Sequence, residues 1–263
     1  MEYRDILVER RGRIVSVTLN RPERMNAVSA DTSAELLQVF TDYRDDPEQW
    51  VMILTGAGEK AFCSGVYVTE AAEKTEQKGR TEGYTIFRPW TQMMQSIEKP
   101  FICAVNGYCV GGGWHFVADS DIVIASENAQ FLDTHVNVGL ISGVESAGLA
   151  WKMPLGIVMR MVMEGRHFRV SAEGACQWGL VSEVLPLGRL VPRAWEIATH
   201  IAEDSAPLAV RGSKKAILGA IDRGPREGIP FAWSVLADIE DSEDVREGLR
   251  AFVEKRKPRF KGR

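Results

Sequence analysis

A strand, a turn and a glycine-led helix start occur twice in this chain, and this repeat constrains the fold more than any other feature. The first copy reads VMILTGAGEKAFCSGV over residues 51–66, and the second reads PFICAVNGYCVGGGW over residues 100–114. Ser64 and Gly112 hold equivalent places, 48 residues apart, a period typical of stacked structural repeats. Stacking would bring the backbone N–H groups of the two turns close together in neighbouring layers.

The glycine triplet Gly111–Gly113 is a costly way to begin a helix. Each glycine inside a helix costs about 0.5–1 kcal/mol relative to alanine. Bare backbone lets a ligand approach closely, and two N–H groups aided by a helix dipole can hold negative charge that develops on oxygen. Tight packing between layers is the alternative explanation. The first explanation makes Ser64 and Gly112 the donors of an oxyanion hole.

Composition excludes several classes of protein. The 263 residues include 32 Lys and Arg against 36 Asp and Glu, so no basic excess indicates a nucleic-acid partner. The four cysteines lack metal-ligand spacing and predict reduced thiols in a cytoplasmic protein. No stretch approaches about 18 uncharged apolar residues, so no membrane span is predicted. We also expect no metal site.

Strands and helices alternate along most of the chain, as in an α/β core. ILVER and IVSVTLN flank the turn RRGR and predict a hairpin, while CSGVYVTEAAEK predicts a helix entered through Gly65. YTIFRPWTQMMQSIEK predicts a helix that Pro89 disturbs. From about Leu190 onward the chain is helical almost to its end. We therefore divide it into a core, residues 1–195, and a C-terminal helical region, residues 196–263.

Several stretches together resemble the crotonase (enoyl-CoA hydratase/isomerase) superfamily over nearly the whole length. NRPERMNAVS resembles the N-terminal signature of the family, and AFCSGVYV resembles its first oxyanion turn. AVNGYCVGGGWHFVADSDIVIAS followed by AQF resembles the central signature. GLVSEVLP and FVEKRKPRFKG resemble the C-terminal part. Tyr67 departs from the pattern, since the family commonly has aspartate there.

This resemblance implies a fold, a ligand and an assembly. The fold is a ClpP/crotonase-like spiral of ββα repeats, and the C-terminal helices form a trimerisation region, giving a homotrimer or hexamer. The ligand is an acyl-CoA whose thioester oxygen lies between the Ser64 and Gly112 amides. Coenzyme A is part of the substrate, and no separate cofactor is implied. The implied substrate-binding residues are Ala61, Cys63, Gly65, Val66, Gly111 and Gly113, with Lys257 and Lys261 reaching the CoA phosphates.

Two histidines stand where typical hydratases of this family carry catalytic glutamates. His115 lies two residues after the glycine triplet, and His135 follows twenty residues later. Imidazole is well suited to proton transfer near neutral pH. The chain has only four histidines, and we expect the other two, His167 and His200, at the surface. A buried imidazole bonded to backbone is the structural alternative for His115 and His135.

Glu145 completes the predicted catalytic set of His115, His135 and Glu145. A branch of the superfamily that opens cyclic β-diketones has histidine at the second place and an acidic residue about nine positions later; here Glu145 follows His135 by ten. A carboxylate beside an imidazole raises its basicity and fixes its tautomer. Asp133 could orient His135 instead, if the two side chains share a face.

Three functions remain open from the sequence. The first is hydration or isomerisation of an enoyl-CoA, with histidines in the glutamate roles. The second is hydrolytic C–C cleavage of a β-keto or β-diketone substrate, with His135 as the base for water. The third is acyl-CoA binding without catalysis. The intact glycine triplet and the basic C-terminal tail favour a CoA thioester as ligand.

Overall fold

Two β-sheets lie against each other in the computed structural model, which describes residues 3–67 and 86–263. Within these residues the larger sheet has the strand order β1-β2-β3-β5-β7-β10, and the smaller sheet has the order β4-β6-β8-β9. The strands are β1 (Ile6–Arg11), β2 (Ile14–Leu19), β3 (Val51–Gly56), β4 (Ala61–Cys63), β5 (Phe101–Val105), β6 (Tyr108–Val110), β7 (Ile122–Ser126), β8 (Gln130–Leu132), β9 (Val170–Ser171) and β10 (Glu183–Leu185).

Successive strands from β3 to β8 alternate between the two sheets. β3, β5 and β7 run parallel in the larger sheet, and β4, β6 and β8 run parallel in the smaller one. Each pair of strands is therefore one layer of a ββ repeat, and each turn of the repeat lies on the next. The predicted hairpin is also confirmed, because β1 and β2 pair antiparallel along their full lengths.

Helices cover the sheets and fill the connections between them. They are α1 (Ala30–Asp45), α2 (Arg88–Ser96), α3 (Trp114–Asp119), α4 (Val144–Leu149), α5 (Leu155–Glu164), α6 (Ala172–Gln177), α7 (Leu187–Asp204), α8 (Pro207–Ala237) and α9 (Glu243–Glu254). Pro89 lies in the first turn of α2, where its missing N–H costs nothing, so it begins that helix rather than disturbing it. From residue 68 onward, the helix predicted for CSGVYVTEAAEK lies outside the described residues.

Helix α7 joins the core to the C-terminal helices. Its alanines Ala194, Ala198 and Ala202 recur every four residues and form one buried stripe with Leu190. This stripe packs on the larger sheet in one apolar cluster that includes Ile53. The proposed boundary at residue 195 falls inside α7. Further on, α8 is broken at Gly224, where φ is 70° and ψ is 172°.

Candidate active site

The two glycine turns predicted from the repeat lie directly against each other. A Cβ atom added to Gly65 would lie 2.9 Å from the Gly112 nitrogen and 3.0 Å from the Val110 oxygen. Gly65 also has a φ of +90°, which side-chain-bearing residues rarely adopt. The strands that lead into the turns are paired, with Cys63 opposite Cys109. Backbone contact thus sets the spacing between the two turns.

The predicted oxyanion donors, Ser64 and Gly112, lie in these turns. The Ser64 amide donates a hydrogen bond to the carbonyl oxygen of Met25 at 3.0 Å. Gly112 lies under the ring of Phe87, since a Cβ added to it would lie 2.5 Å from the Phe87 Cζ. A ligand oxygen between the two amides would therefore have to share the Ser64 N–H with the Met25 carbonyl oxygen or replace that oxygen as its acceptor.

Two asparagines hold the first turn in place, and sequence reasoning assigned neither of them a role. The Asn26 amide donates to the carbonyl oxygens of Ala57 at 2.9 Å and Ala61 at 2.7 Å. The Asn106 amide donates to Gly56 at 2.8 Å, and the Gly56 N–H donates back to the Asn106 side chain at 3.1 Å. Each asparagine directly follows a turn or a strand within a stretch that resembles a family signature, and this position is the feature by which the sequence could have indicated it.

The predicted catalytic residues converge beside the second glycine turn. His115 lies on α3, His135 follows β8, and Glu145 lies in the first turn of α4. Glu145 approaches both rings, with its Oε2 atom 3.7 Å from His115 Nε2 and its Oε1 atom 3.2 Å from His135 Nε2. A Cβ added to Gly111 would lie 3.7 Å from His135 Cε1, which places this ring against the glycine turn.

Asp133 is a fourth member of this cluster. Its carboxylate oxygens lie 3.1 and 3.2 Å from His135 Nδ1, and one of them accepts the His135 backbone N–H at 2.8 Å. Ser142 donates its hydroxyl to the other oxygen at 2.6 Å. The His135 ring therefore lies between two carboxylates, Asp133 at Nδ1 and Glu145 at Nε2.

The two histidines differ in their electrostatic surroundings. Burial, together with the nearby His135, lowers the pKa of His115 to about 4. Burial also acts to lower the pKa of His135, but the hydrogen bond to Asp133 and the charges of Glu145 and Asp133 outweigh it and raise that pKa. Near neutral pH, His115 is therefore neutral, while the surroundings of His135 stabilise its imidazolium form.

The pKa values of the two carboxylates, Glu145 and Asp133, are also shifted in opposite directions. Burial raises the pKa of Glu145, although the charge of His135 opposes the shift. Burial acts in the same direction on Asp133, yet hydrogen bonds from His135 and Ser142 outweigh it and lower the pKa of Asp133. Asp133 is thus the more persistent anion of the pair.

Aromatic side chains enclose His115. The Phe87 ring centroid lies 5.2 Å from that of His115, and the Trp90 ring meets His115 edge-on at 6.0 Å. Among the described residues, His115 Nδ1 and Trp90 Nε1 are buried without a hydrogen-bond partner. Sequence reasoning assigned no role to Phe87 or Trp90, because no motif or spacing in the sequence links either residue to the glycine turns.

The remaining predicted site residues divide into two groups. Ala61, Cys63, Val66 and Gly113 lie at or beside the glycine turns, and burial raises the pKa of the Cys63 thiol to about 12. Lys257 instead pairs with Glu203 at 2.9 Å and Asp204 at 3.1 Å, and the Lys261 ammonium lies 3.6 Å from Glu243. The polar partners of both lysines therefore belong to the C-terminal helices. His167 and His200 are exposed, as predicted.

The cluster also has the spacing of a cation site. Within the described part of the chain, Asp133, His135 and Glu145 each place one ligand atom within 4.8 Å of the others. The three donors from His135 and Ser142 already occupy both Asp133 oxygens. An ion bound by Asp133 would have to break these hydrogen bonds.

Known proteins match this chain along its whole length. A family model described as enoyl-CoA hydratase/isomerase matches residues 9–263. The (E)-benzylidenesuccinyl-CoA hydratase of Thauera aromatica is 36% identical over 98% of this chain and 99% of its own length. The carnitinyl-CoA dehydratase of Proteus mirabilis is 37% identical over 96% and 97% of the two chains.

Solved structures of enoyl-CoA hydratases also superpose on this chain. An enoyl-CoA hydratase/isomerase from Mycobacterium paratuberculosis superposes with a TM-score of 0.90 at 37% identity, covering 100% of both chains. An enoyl-CoA hydratase from Bacillus anthracis superposes with a TM-score of 0.93 at 33% identity, covering 99% of this chain and 100% of its own. The layered sheets therefore form the crotonase fold, as predicted. The chain belongs to the enoyl-CoA hydratase/isomerase family. No helix of the described residues is long and apolar enough to span a membrane.

Proposed function

We propose that this protein is a lyase that adds water across the C2=C3 bond of a 2-enoyl-CoA thioester, or removes it in the reverse direction. The observation that carries the proposal is the convergence of His115, His135 and Glu145 beside Gly111 in the second glycine turn. The hydratase and dehydratase names of the two relatives support this reaction class.

The reaction needs a stabilised enolate. When the oxygen of water bonds to C3, electron density moves through C2 to the thioester oxygen, which becomes negative. In the proposal the amide groups of Ser64 and Gly112 hold this oxygen. The Ser64 amide can reach it once the ligand oxygen replaces the Met25 carbonyl as acceptor. Gly65 and Gly111–Gly113 keep side chains away from the thioester, and Ala61, Cys63 and Val66 support the first turn.

The opposite pKa shifts of the two histidines suit opposite roles. Neutral His115 takes a proton from the attacking water, and Glu145 at 3.7 Å stabilises the charge that this creates. Cationic His135 delivers a proton to C2, which collapses the enolate to the saturated thioester. One proton leaves water and one reaches carbon, so the cycle closes when a proton returns from His115 to His135 through Glu145, which lies near both rings.

Hydrolytic C–C cleavage is the second candidate function, and one observation favours it. His135 lies between two carboxylates, at 3.1 and 3.2 Å, an arrangement that would also suit activation of water against a ketone carbonyl. Cleavage would yield a carboxylic acid and a shorter carbonyl compound. Hydration yields one product that is heavier than the substrate by one water.

We also propose a homotrimer or hexamer. Large apolar side chains remain exposed on α8 and α9, among them Trp233 at 66% and Phe252 at 85% of their full exposure. Exposed apolar side chains grouped on two helices favour an interface with another protein chain. In this proposal, Lys257 and Lys261 contact the CoA phosphates only in the assembled oligomer.

The test is turnover of a panel of trans-2-enoyl-CoA esters with alkyl and aryl substituents, beside a β-keto-CoA and a cyclic β-diketone. We expect loss of the enoyl absorbance and a product that has gained one water. Cleavage of the keto substrates alone would replace the lyase proposal with the hydrolase. Binding of CoA esters with no turnover of any substrate would leave a non-catalytic binding protein.

A further inference from the structure

Asp133 is the most deeply buried charged group of the cluster. It is 0% exposed, yet its pKa is lowered, because donors surround the carboxylate. These donors are the His135 backbone N–H, the His135 ring at Nδ1 and the Ser142 hydroxyl. A buried carboxylate without such donors would be costly, so the surroundings are built for an anion.

This arrangement fixes the orientation of His135. An ionised carboxylate only accepts hydrogen bonds, so the nitrogen facing it, Nδ1, must carry hydrogen. The other ring nitrogen, Nε2, then faces Glu145 at 3.2 Å and the glycine turn. The hydrogen bond from the His135 backbone to Asp133 closes a two-residue loop, so the side chain and the backbone of His135 are held by the same carboxylate.

We propose that Asp133, held by Ser142, is a positioning residue: it sets the tautomer and the charge of His135 and aims Nε2 at the reacting carbon. This inference rests on the proposed function, since it concerns the proton that His135 delivers. Among the residues that the structure describes, the titratable groups that face His135 include Asp133 after β8, Glu145 on α4 and His115 on α3. Both Asp133 oxygens lie within hydrogen-bond distance of Nδ1.

The alternative role for Asp133, His135 and Glu145 is to bind a cation. It would need Asp133 as a ligand, and the three hydrogen bonds to Asp133 would have to break. His135 and Glu145 alone provide two ligand atoms, fewer than the three or four that protein sites normally supply. The geometry therefore favours imidazole as the partner of Asp133.

The first test is the titration of His135 by NMR in the full chain, without any substrate. The chain has only four histidines, so ring resonances can be assigned with single His→Gln variants. Asp133→Asn keeps the shape and removes the charge. We expect the His135 titration midpoint to fall by one pH unit or more, while the midpoints of exposed His167 and His200 stay unchanged.

Asp119→Asn is the matched control. Asp119 is also a partly buried carboxylate of this region, but its hydrogen bond is to Gln95 at 3.0 Å rather than to His135. We expect the His135 midpoint to be retained in this variant. An unchanged midpoint in folded Asp133→Asn, or an equal fall in both variants, would overturn the proposal.

Ser142→Ala keeps the question answerable if Asp133→Asn does not fold. Loss of the 2.6 Å hydrogen bond frees one Asp133 oxygen, so the Nδ1–H of His135 should exchange faster with solvent and its proton resonance should broaden. A resonance as sharp as in the parent protein would count against the proposal.

The second test measures turnover, and it separates this inference from the proposed function. With an enoyl-CoA substrate, Asp133→Asn should lower kcat by about 10²–10⁴-fold with little change in KM, and the alkaline limb of the pH–rate profile, where His135 loses its proton, should move to lower pH. A uniform rise in KM with unchanged kcat would mean that Asp133 only shapes the pocket. Absence of turnover in the parent would refute the lyase reaction, while the NMR result would still decide the role of Asp133.

Discussion

His115 and His135 lie in one cluster, yet their surroundings shift their pKa values in opposite directions. His115 lies among aromatic rings with Glu145 at 3.7 Å, so burial dominates and its pKa falls to about 4. His135 is bonded to an anion at Nδ1, and its pKa rises. In the proposed mechanism, the environment rather than the residue type therefore decides which imidazole accepts a proton and which one donates it.

This difference predicts the pH dependence of stability. Unfolded His115 takes up a proton as the pH falls through about 6.5, whereas folded His115 resists until about pH 4. The fold therefore loses stability in this window, by about 2 kcal/mol between pH 7 and pH 5. Urea unfolding at both pH values measures the loss, and His115→Gln should make it smaller.

His135→Gln should have the opposite effect. The raised pKa of His135 contributes stability that is fully present below its unfolded pKa and is lost as the pH rises through its folded pKa. Removing it should make the acid loss steeper. Equal slopes in both variants and the parent would contradict the assignment of the two protonation states.

At the scale of elements, backbone contact between two turns shapes the site. β4 and β6 pair in the smaller sheet, and each ends in a glycine turn that touches the other. Asn26 and Asn106 tie the same turns to neighbouring carbonyl groups. The proposed oxyanion donors, Ser64 and Gly112, are therefore positioned by strand pairing and side-chain amides rather than by a long helix.

Gly65→Ala tests this contact. The new Cβ would lie 2.9 Å from the Gly112 nitrogen, so the two turns must separate. Gly179→Ala is the matched control, because Gly179 has a similar φ of +82° but nothing within 4 Å of an added Cβ. Both variants should lose about 1–3 kcal/mol of unfolding free energy from backbone strain.

Only Gly65→Ala should also weaken binding of a CoA ester, by at least 10-fold in a titration calorimetry experiment. Equal affinity for the ester in both variants would mean that the spacing of the turns does not control the ligand site.

The elements of the core were predictable because their signals are local and periodic. The repeat around Ser64 and Gly112 predicted adjacent turns, and the turn RRGR between two strand-like stretches predicted the first hairpin; both are confirmed. The start of α2 was misjudged, because a proline inside an apolar pattern marks a first turn as well as a break.

The partner of His135 was harder to predict. Glu145 was favoured as the orienting carboxylate, whereas Asp133 contacts Nδ1. Sequence reasoning judged Asp133 by strand geometry, but β8 ends at Leu132, and the chain then turns so that Asp133 folds back on His135. The same carboxylate accepts a hydrogen bond from Ser142, seven residues beyond His135, and no periodic pattern links the two positions.

At the scale of the whole molecule, the described chain leaves much of its C-terminal surface apolar. Ile229 and Trp233 lie one helical turn apart on α8, and both are more than half exposed. On α9, Leu249, Phe252 and Val253 are exposed as well. These side chains are available to pack against other copies of the chain.

Assembly can be tested by light scattering coupled to size-exclusion chromatography. We expect a mass of three or six chains for the parent protein. Trp233→Glu should shift it towards the monomer, because a charge cannot be buried unpaired at an interface. The exposed Leu7 at the edge of the larger sheet provides the matched control, Leu7→Glu, which should leave the mass unchanged. A monomeric parent would contradict the proposed assembly.

The central claim is that two histidines carry out proton transfer on an enoyl thioester, and product analysis in deuterated water tests it most directly. The parent should yield a hydrated product with one deuterium bound to C2. His135→Gln should slow that reaction by about 10²–10⁴-fold while still binding the CoA ester, and His200→Gln, at an exposed position, should match the parent. A folded His135→Gln variant that forms the deuterated product at the parental rate would contradict the claim.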